Sequence, residues 1–404
     1  MDVQARDLSG GPSPLARIAP EVWWAAGLVA VLALGLALRL HGIHNPILDH
    51  PGWRQGDTAA IARNFARLQF DVMHPQTIYN GPPPNYVELE LQIVPFVAAA
   101  LYKAFGIHEI FGRLTTLAFS LAAIVTVAYF ARWLFAGAAA GLIAAFFFAV
   151  FPGSVYYGRT FTPDTAMVFF LTAALYAAAR LTLDDPSLAP RPLARTSALL
   201  ALAYLAKPVA VVALVPLGAL VWQRLRAGLP TRPTAIAVMT LVPLLILWLY
   251  DRRIASYAEW HWASGITTLH VLPGLRDAFT SFAAFGAKLG AFRTALGMLR
   301  QTMLGTVGFL GSVAAFIALP WVAARSKPLL WGWLAATLVY IFVVVTVERV
   351  DYYMYPMLPL CALVAGGAGA RLIAFVRETA AGPAVRYAIF AALGIFGVAG
   401  ALQG

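Results

Sequence analysis

Trp53-Arg54-Gln55-Gly56-Asp57-Thr58-Ala59-Ala60-Ile61-Ala62-Arg63-Asn64-Phe65 is a polar, helix-patterned stretch in a chain that is otherwise strongly apolar. It lies within the charged segment Asp49–Glu90, soon after the first apolar run, Val22–Leu40. Outward from it the chain is 61% hydrophobic and only 12% charged, with a mean hydropathy of +0.75. Soluble domains carry about 25% charged residues. Several runs here reach about 18 residues, enough to cross a hydrocarbon core about 30 Å thick. Alternating strands of about ten residues, the mark of a membrane barrel, do not occur. The sequence therefore specifies an all-α polytopic membrane protein. Acids and arginines gathered just after its first span point to a reaction or binding site at the membrane surface.

Spans are expected at 22–40, 112–131, 137–155, 164–181, 195–206, 208–223, 234–250, 304–323, 329–346, 354–372 and 387–402, about 11 transmembrane helices in one membrane-embedded domain, 22–404. Residues 1–21 form a cytoplasmic tail, and Arg39-Leu40-His41-Gly42 offers no small-x-small cleavage site, so the first run is an uncleaved anchor. With the amino terminus inside, Arg132, Arg191, Arg195, Arg224, Arg226, Arg232, Arg325, Lys327, Arg371, Arg377 and Arg386 all fall on inside loops. The polar segments 41–111, 156–164, 251–303 and 347–353 then share the outer face, towards which the Lys207-Pro208 junction also lies. Leu89–Phe105 is apolar enough to span, but a crossing there reverses the charge bias at every later loop. It is expected to lie in or near the outer interface. The net charge of +11 arises mostly from cations beside apolar runs, where topology and anionic headgroups place them, so no nucleic-acid partner is implied. Cys361 is the single cysteine, which excludes an internal disulfide or a multi-cysteine metal site.

Within the first outer segment, Ile61, Phe65 and Leu68 recur at i, i+4 and i+7 while Arg63, Asn64 and Arg67 face away. That spacing describes an amphipathic helix lying on a membrane. Asp57 falls near its amino end, where it caps the helix, serves as a general base, or does both. Asp49 is the alternate base. Glu88 and Glu90, two residues apart, enter an apolar segment where a carboxylate needs a partner or a role. In Tyr156-Tyr157-Gly158-Arg159-Thr160-Phe161-Thr162-Pro163-Asp164, Arg159 anchors the interface or shapes an anion pocket, and Asp164 caps a helix or pairs with it. Lys207 interrupts an apolar run before Pro208; it either snorkels or contacts a phosphate. Glu348-Arg349-Val350-Asp351-Tyr352-Tyr353 supplies an arginine suited to phosphate and two tyrosines that otherwise form part of an aromatic belt. His50 has no second histidine at ligand spacing, and 251–303, with His261, His270, Trp260 and Trp262, carries no singled-out role.

The stretch Trp53–Phe65, followed in order by Tyr157-Gly158-Arg159 with Asp164, Lys207-Pro208, and Asp351-Tyr352-Tyr353 with Pro356 and Pro359, resembles the bacterial GT-C glycosyltransferases. The nearest resemblance is to aminoarabinose transferases and protein O-mannosyltransferases, over roughly 20–375. It implies an inverting enzyme of the bacterial inner membrane whose site faces the periplasm. Its donor is a polyprenyl-phosphate sugar and its acceptor a glycolipid, polysaccharide or protein. Carried over, the catalytic base falls on Asp57, with Asp49, Glu88, Glu90 and Asp164 as supporting acids. The donor phosphate falls to Lys207 and Arg349 with Arg159, Arg54, Tyr352 and Tyr353. Many relatives open the motif with an Asp-Glu pair that aligns on Arg54-Gln55, and their Lys-Pro-Pro turn is Gly81-Pro82-Pro83 here. No cofactor is required; a divalent cation could be held by Glu90 or Asp164 with Asp57. The alternative, a transporter or flippase of lipid-linked sugars, predicts charges spread through the spans and paired broken segments near the midplane. The sequence has one such break, at Lys207-Pro208.

Overall fold

The computed structural model describes residues 14–79 and 82–378. The start of the tail, the Asn80-Gly81 step of the proline turn and the expected last span, 387–402, lie outside these residues. The helices are α1 (Pro14–Leu40), α2 (Gly52–Arg67), α3 (Ile93–Phe105), α4 (Glu109–Leu134), α5 (Ala138–Val150), α6 (Pro152–Tyr157), α7 (Asp164–Asp184) and α8 (Pro190–Ala206). They continue with α9 (Leu214–Arg226), α10 (Pro233–Ala255), α11 (Trp262–Gly265), α12 (Leu272–Ala278), α13 (Phe282–Met298), α14 (Gly305–Ala318), α15 (Lys327–Tyr340), α16 (Thr346–Glu348) and α17 (Leu358–Glu378). A 3₁₀ turn, Pro208–Ala213, precedes α9, and another, Asp351–Met357, precedes α17.

Eight helical segments among the described residues are long and apolar enough to cross a membrane. The expected span 137–155 appears as the shorter α5, of 13 residues, and the expected 195–206 as the longer α8, of 17. Pro152 ends α5 because it lacks the N–H and the ring crowds the preceding turn, and the chain restarts as α6. Large apolar side chains such as Trp23, Leu241 and Ile317 face outward, as a lipid-facing surface requires. Inside, helices approach closely at small residues. A Cβ on Gly366 would meet the Ala140 carbonyl oxygen at 2.5 Å, so α17 touches α5 backbone to backbone.

Helix α3 has 13 residues, about 20 Å of rise, short of the core thickness. It packs on α2 through a Phe65–Phe96 edge contact at 5.5 Å. The apolar stripe of α2 is thus covered by protein: Ile61 and Phe65 are each 1% exposed. Asn64, expected to face away, is buried and donates to the carbonyls of Gln76 and Thr77 at 2.9 and 3.1 Å.

The segment 251–303, expected as an outer polar loop, is largely helical. Its cations sit in runs rich in Ala, Leu and Phe, and α13 with the π turn Leu299–Leu304 continues into α14 across Gly305, whose φ of +69° turns the chain. A two-residue parallel pairing, Val87 with Trp260 and Glu88 with His261, ties this segment to the first outer segment.

Contacts join parts of the four polar segments assigned to one side, while Phe282–Trp321, which includes the end of 251–303, is apolar and long enough to span. Arg113 reaches Asp49 at 2.8 Å, Arg159 reaches the Gly42 carbonyl at 2.9 Å, and His50 meets Asp351 at 3.2 Å. Ser264 donates to Glu88 at 2.7 Å, and His270 pairs with Glu348 at 3.0 Å.

Candidate active site

A cavity of about 840 Å³ opens between the amino end of α2, the strand after the proline turn, the Lys207-Pro208 break, the α11–α12 region and the Tyr352-Tyr353 turn. Its lining divides into two parts. Arg54, Glu90, Lys207, Glu348, Tyr352 and Tyr353 make a polar end, and Val209, Val211, Val212, Ile266, Leu269 and Val344 make an aliphatic wall.

Local structure places each polar group. Lys207 ends α8 in extended conformation, because Pro208 disfavours a helical residue before it. The break aims its ammonium at Asp164, to which it donates, and over the rings of Tyr352 and Tyr353, 4.8 and 4.4 Å from their centroids. Asp164 is fully buried at the start of α7, where the helix dipole favours a carboxylate. It is therefore a counterion behind the cavity. Arg54, in the first turn of α2, donates to Glu90, and both side chains are less than a tenth exposed. Pairing is what makes two such charges tolerable away from water.

Asp57 does not line this cavity, nor does it cap α2; Pro51 occupies that position. It lies one turn beyond the lining residues Trp53 and Arg54, 8% exposed, and accepts a hydrogen bond from the Tyr79 hydroxyl. The Tyr79 ring stands 5.7 Å from that of Trp262, a wall residue, so Asp57 is set at the rim behind Tyr79. Burial raises the Asp57 pKa above the usual carboxylate range, outweighing the lowering by Tyr79 and by Arg54. Donation to Asp57 in turn pushes the Tyr79 phenol up to about 12.

The other assigned residues lie elsewhere. Arg349 is exposed, takes a left-handed φ of 55° and does not line the cavity, although its neighbours Glu348 and Val350 do. Arg159 turns away, to the Gly42 carbonyl and to within 4.0 Å of Asp49. Asp49 accepts from Arg113 at 2.8 Å and from Gln55 at 2.7 Å, forming a closed polar cluster. Glu88 is held by Ser264 and by His261 at 3.6 Å, just outside the lining. Glu90, Asp164 and Asp57, the acids considered for a divalent cation, are each engaged by a different partner. Among the described residues no three His, Cys, Asp or Glu side chains group as ligands.

Sequence reading left His261, His270 and Trp262 without a role, and all three line the cavity. His261 is placed by its β pairing with Glu88 and His270 by its contact with Glu348, and such long-range contacts leave no local sequence signal. In the sequence Arg39 is only the end of a span. It is fully buried, donating at 2.7–3.0 Å to Ser120, to the carbonyls of Gly35 and Ala149, and to both oxygens of Ser154, which locks α1 to α4, α5 and α6.

The arrangement matches known membrane enzymes in backbone. ArnT from Cupriavidus metallidurans, solved with undecaprenyl phosphate bound, superposes with a TM-score of 0.60 at 18% identity over 87% of this chain. The chain has the GT-C fold. The oligosaccharyltransferase AglB from Archaeoglobus fulgidus, in complex with an inhibitory peptide and a dolichol-phosphate, gives a TM-score of 0.55 at 13% identity over 95% of this chain. This GT-C chain spans 60% of the ArnT chain and 55% of the AglB chain. Residues 92–250 match the family model for dolichyl-phosphate-mannose-protein mannosyltransferase. No curated protein matches the chain.

Proposed function

We propose that this protein is an inverting glycosyltransferase of the bacterial inner membrane. It moves a sugar from a polyprenyl-phosphate donor to a glycolipid, polysaccharide or protein acceptor, with its cavity facing the periplasm. The observation that carries the reading is the cavity's division: two cations, Lys207 and Arg54, beside an aliphatic wall in about 840 Å³. A phosphate linked to an isoprenoid has that same division. Undecaprenyl phosphate in the ArnT structure and dolichol-phosphate in the AglB complex support it by analogy.

In the reaction we infer, the acceptor oxygen attacks the anomeric carbon as the bond from that carbon to the phosphate oxygen breaks. The acceptor proton passes to Asp57, and the polyprenyl phosphate leaves with the bonding pair. Lys207 and Arg54 face the charge that develops on the leaving phosphate, and fixed cations so placed supply a large part of such a rate enhancement. Arg349 and Arg159, given phosphate roles from sequence, take none in this mechanism. Asp57 is favoured as base over Glu90 because Glu90 is already held by Arg54, whereas the group on Asp57 is a hydroxyl. The Tyr79 O–H donates where an acceptor O–H would have to.

The test is transfer of labelled sugar from a synthetic polyprenyl-phosphate donor by purified protein, measured for Asp57→Asn and Glu90→Gln. Loss of a general base costs about 10²–10⁴-fold, so that loss is expected for Asp57→Asn, with donor affinity kept. Undiminished transfer by Asp57→Asn would reject it as the base. Absence of any transfer by the intact protein across the donor and acceptor classes named would reject the enzyme reading itself.

A further inference from the structure

A second cavity, of about 480 Å³, lies at the opposite end of the bundle. It sits beside the turn between α4 and α5 and is walled by Arg132, Arg180, Arg325, Tyr129, Trp133 and Tyr176. Asp164, the partner of Lys207, begins α7, and Asp184, beside this cavity, ends it twenty residues later. At 1.5 Å per residue the two cavities are separated by about 30 Å, the thickness of a hydrocarbon core. This second cavity therefore falls at the headgroup level of the leaflet opposite the first.

Its charge is arranged for an incoming anion. Three arginines face only two nearby carboxylates. Arg132 is engaged by Glu21 through both terminal nitrogens, one at 3.0 Å. Asp184 is shared: Arg325 reaches it at 3.1 Å, Arg180 at 3.5 Å, and the Trp133 indole N–H donates to it at 2.7 Å. Arg180 and Arg325 thus each spend one nitrogen on a shared acid, out of five N–H donors apiece. Their side chains are 52% and 48% exposed, so the remaining donors are accessible. The guanidinium planes are braced by aromatic rings: Arg325 lies 5.2 Å from the Trp133 ring, Arg180 6.0 Å from Tyr176, and Arg132 4.4 Å from Trp24. Bracing reduces the entropy lost on binding and presents the bidentate geometry that a phosphate accepts. Tyr and Trp around such a pocket are the residues that settle at headgroup depth.

We propose that this cavity binds the phosphate of an anionic membrane phospholipid, on the side of the bilayer away from the sugar-transfer site. The net positive charge selects an anionic headgroup over a zwitterionic one, and the aromatic rim and membrane depth select a lipid over a soluble ion. The site is independent of the catalytic reading.

The experiment uses the purified full chain in detergent, equilibrated with phosphatidylglycerol, phosphatidylcholine or inorganic phosphate, with bound lipid counted by native mass spectrometry. Intact protein is expected to retain phosphatidylglycerol and not phosphatidylcholine. The Arg180→Gln/Arg325→Gln variant should lose at least about tenfold in phosphatidylglycerol affinity, some 1.4 kcal/mol. Arg371→Gln, which removes a surface arginine paired with Glu378 at 3.4 Å, should lose nothing. Equal retention of the two lipids, equal retention by intact protein and double variant, or an equal loss in Arg371→Gln would overturn the proposal. So would full displacement of phosphatidylglycerol by millimolar inorganic phosphate, which would assign the cavity to a free anion. The lipid comparison on intact protein needs no variant, so a misfolded variant would not shelter the idea.

Discussion

Arg54 and Gln55 are neighbours on α2, yet they serve two unlike polar clusters. Arg54 joins Glu90 at the wall of the large cavity, close to Lys207 and the two tyrosines. Gln55 bridges Asp49 to the backbone N–H of Phe161 at 3.1 Å, in a cluster where Arg113 and Arg159 also converge. Both clusters sit at the same end of the bundle, and both hold arginines and acids. One borders about 840 Å³ of space; the other is filled by its own members and by backbone carbonyls. Charge density by itself does not locate a site in this protein. The deciding property is a cation with its counterion behind it and open volume in front.

That contrast can be broken most sharply at Lys207. The Asp164→Asn/Lys207→Met pair removes the cation without stranding a buried carboxylate. We expect turnover to fall about 10²–10³-fold, the usual loss for a donor aimed at developing charge, with the melting temperature little changed. The closed cluster should answer in the opposite currency. Arg113→Met leaves Asp49 short of its main partner and is expected to cost about 1–3 kcal/mol of stability. Turnover per folded molecule should hold, as denaturant melts beside activity assays would show.

A smaller effect probes the rim. The Tyr79 hydroxyl lowers the Asp57 pKa by stabilising its anion, so Tyr79→Phe raises it. Because the base must be deprotonated, the acid limb of the pH–rate profile should move to higher pH. Activity would fall at low pH and be kept at high pH. Arg349→Ala, at an exposed position off the cavity, should change turnover by less than about twofold, as surface substitutions usually do.

Much of this was legible in the residues. Long apolar runs name helices directly, and the arginines at their ends assign sides, because each signal is local. Counting crossings put 41–111, 156–164, 251–303 and 347–353 on one side, and contacts join parts of all four, such as His50 with Asp351 and Ser264 with Glu88. Lys207 was legible for a similar reason: a charge beside a proline in an apolar run has few uses. Pairing was not legible. Lys207 meets Asp164 across 43 positions and Arg54 meets Glu90 across 36, and sequence spacing carries no trace of either. Arg159 and Arg349 have phosphate roles on the resemblance, and the packing turns one to Asp49 and leaves the other off the cavity lining. Arg39 carries no role in the sequence beyond ending a span, whereas its five hydrogen bonds make it a buried brace. In 251–303 the scattered cations hid helices, since Lys288 is itself 7% exposed and lies over the Phe342 ring.

The central claim is that the two-sided cavity, with Lys207 at its polar end, is where a polyprenyl phosphate binds. Its most direct test is the affinity of purified protein for undecaprenyl phosphate in the intact chain, Asp164→Asn/Lys207→Met and Arg113→Met. The account predicts at least about tenfold weaker binding in the first variant and intact binding in the second. Equal affinity in all three, or an equal loss in both variants, would contradict it.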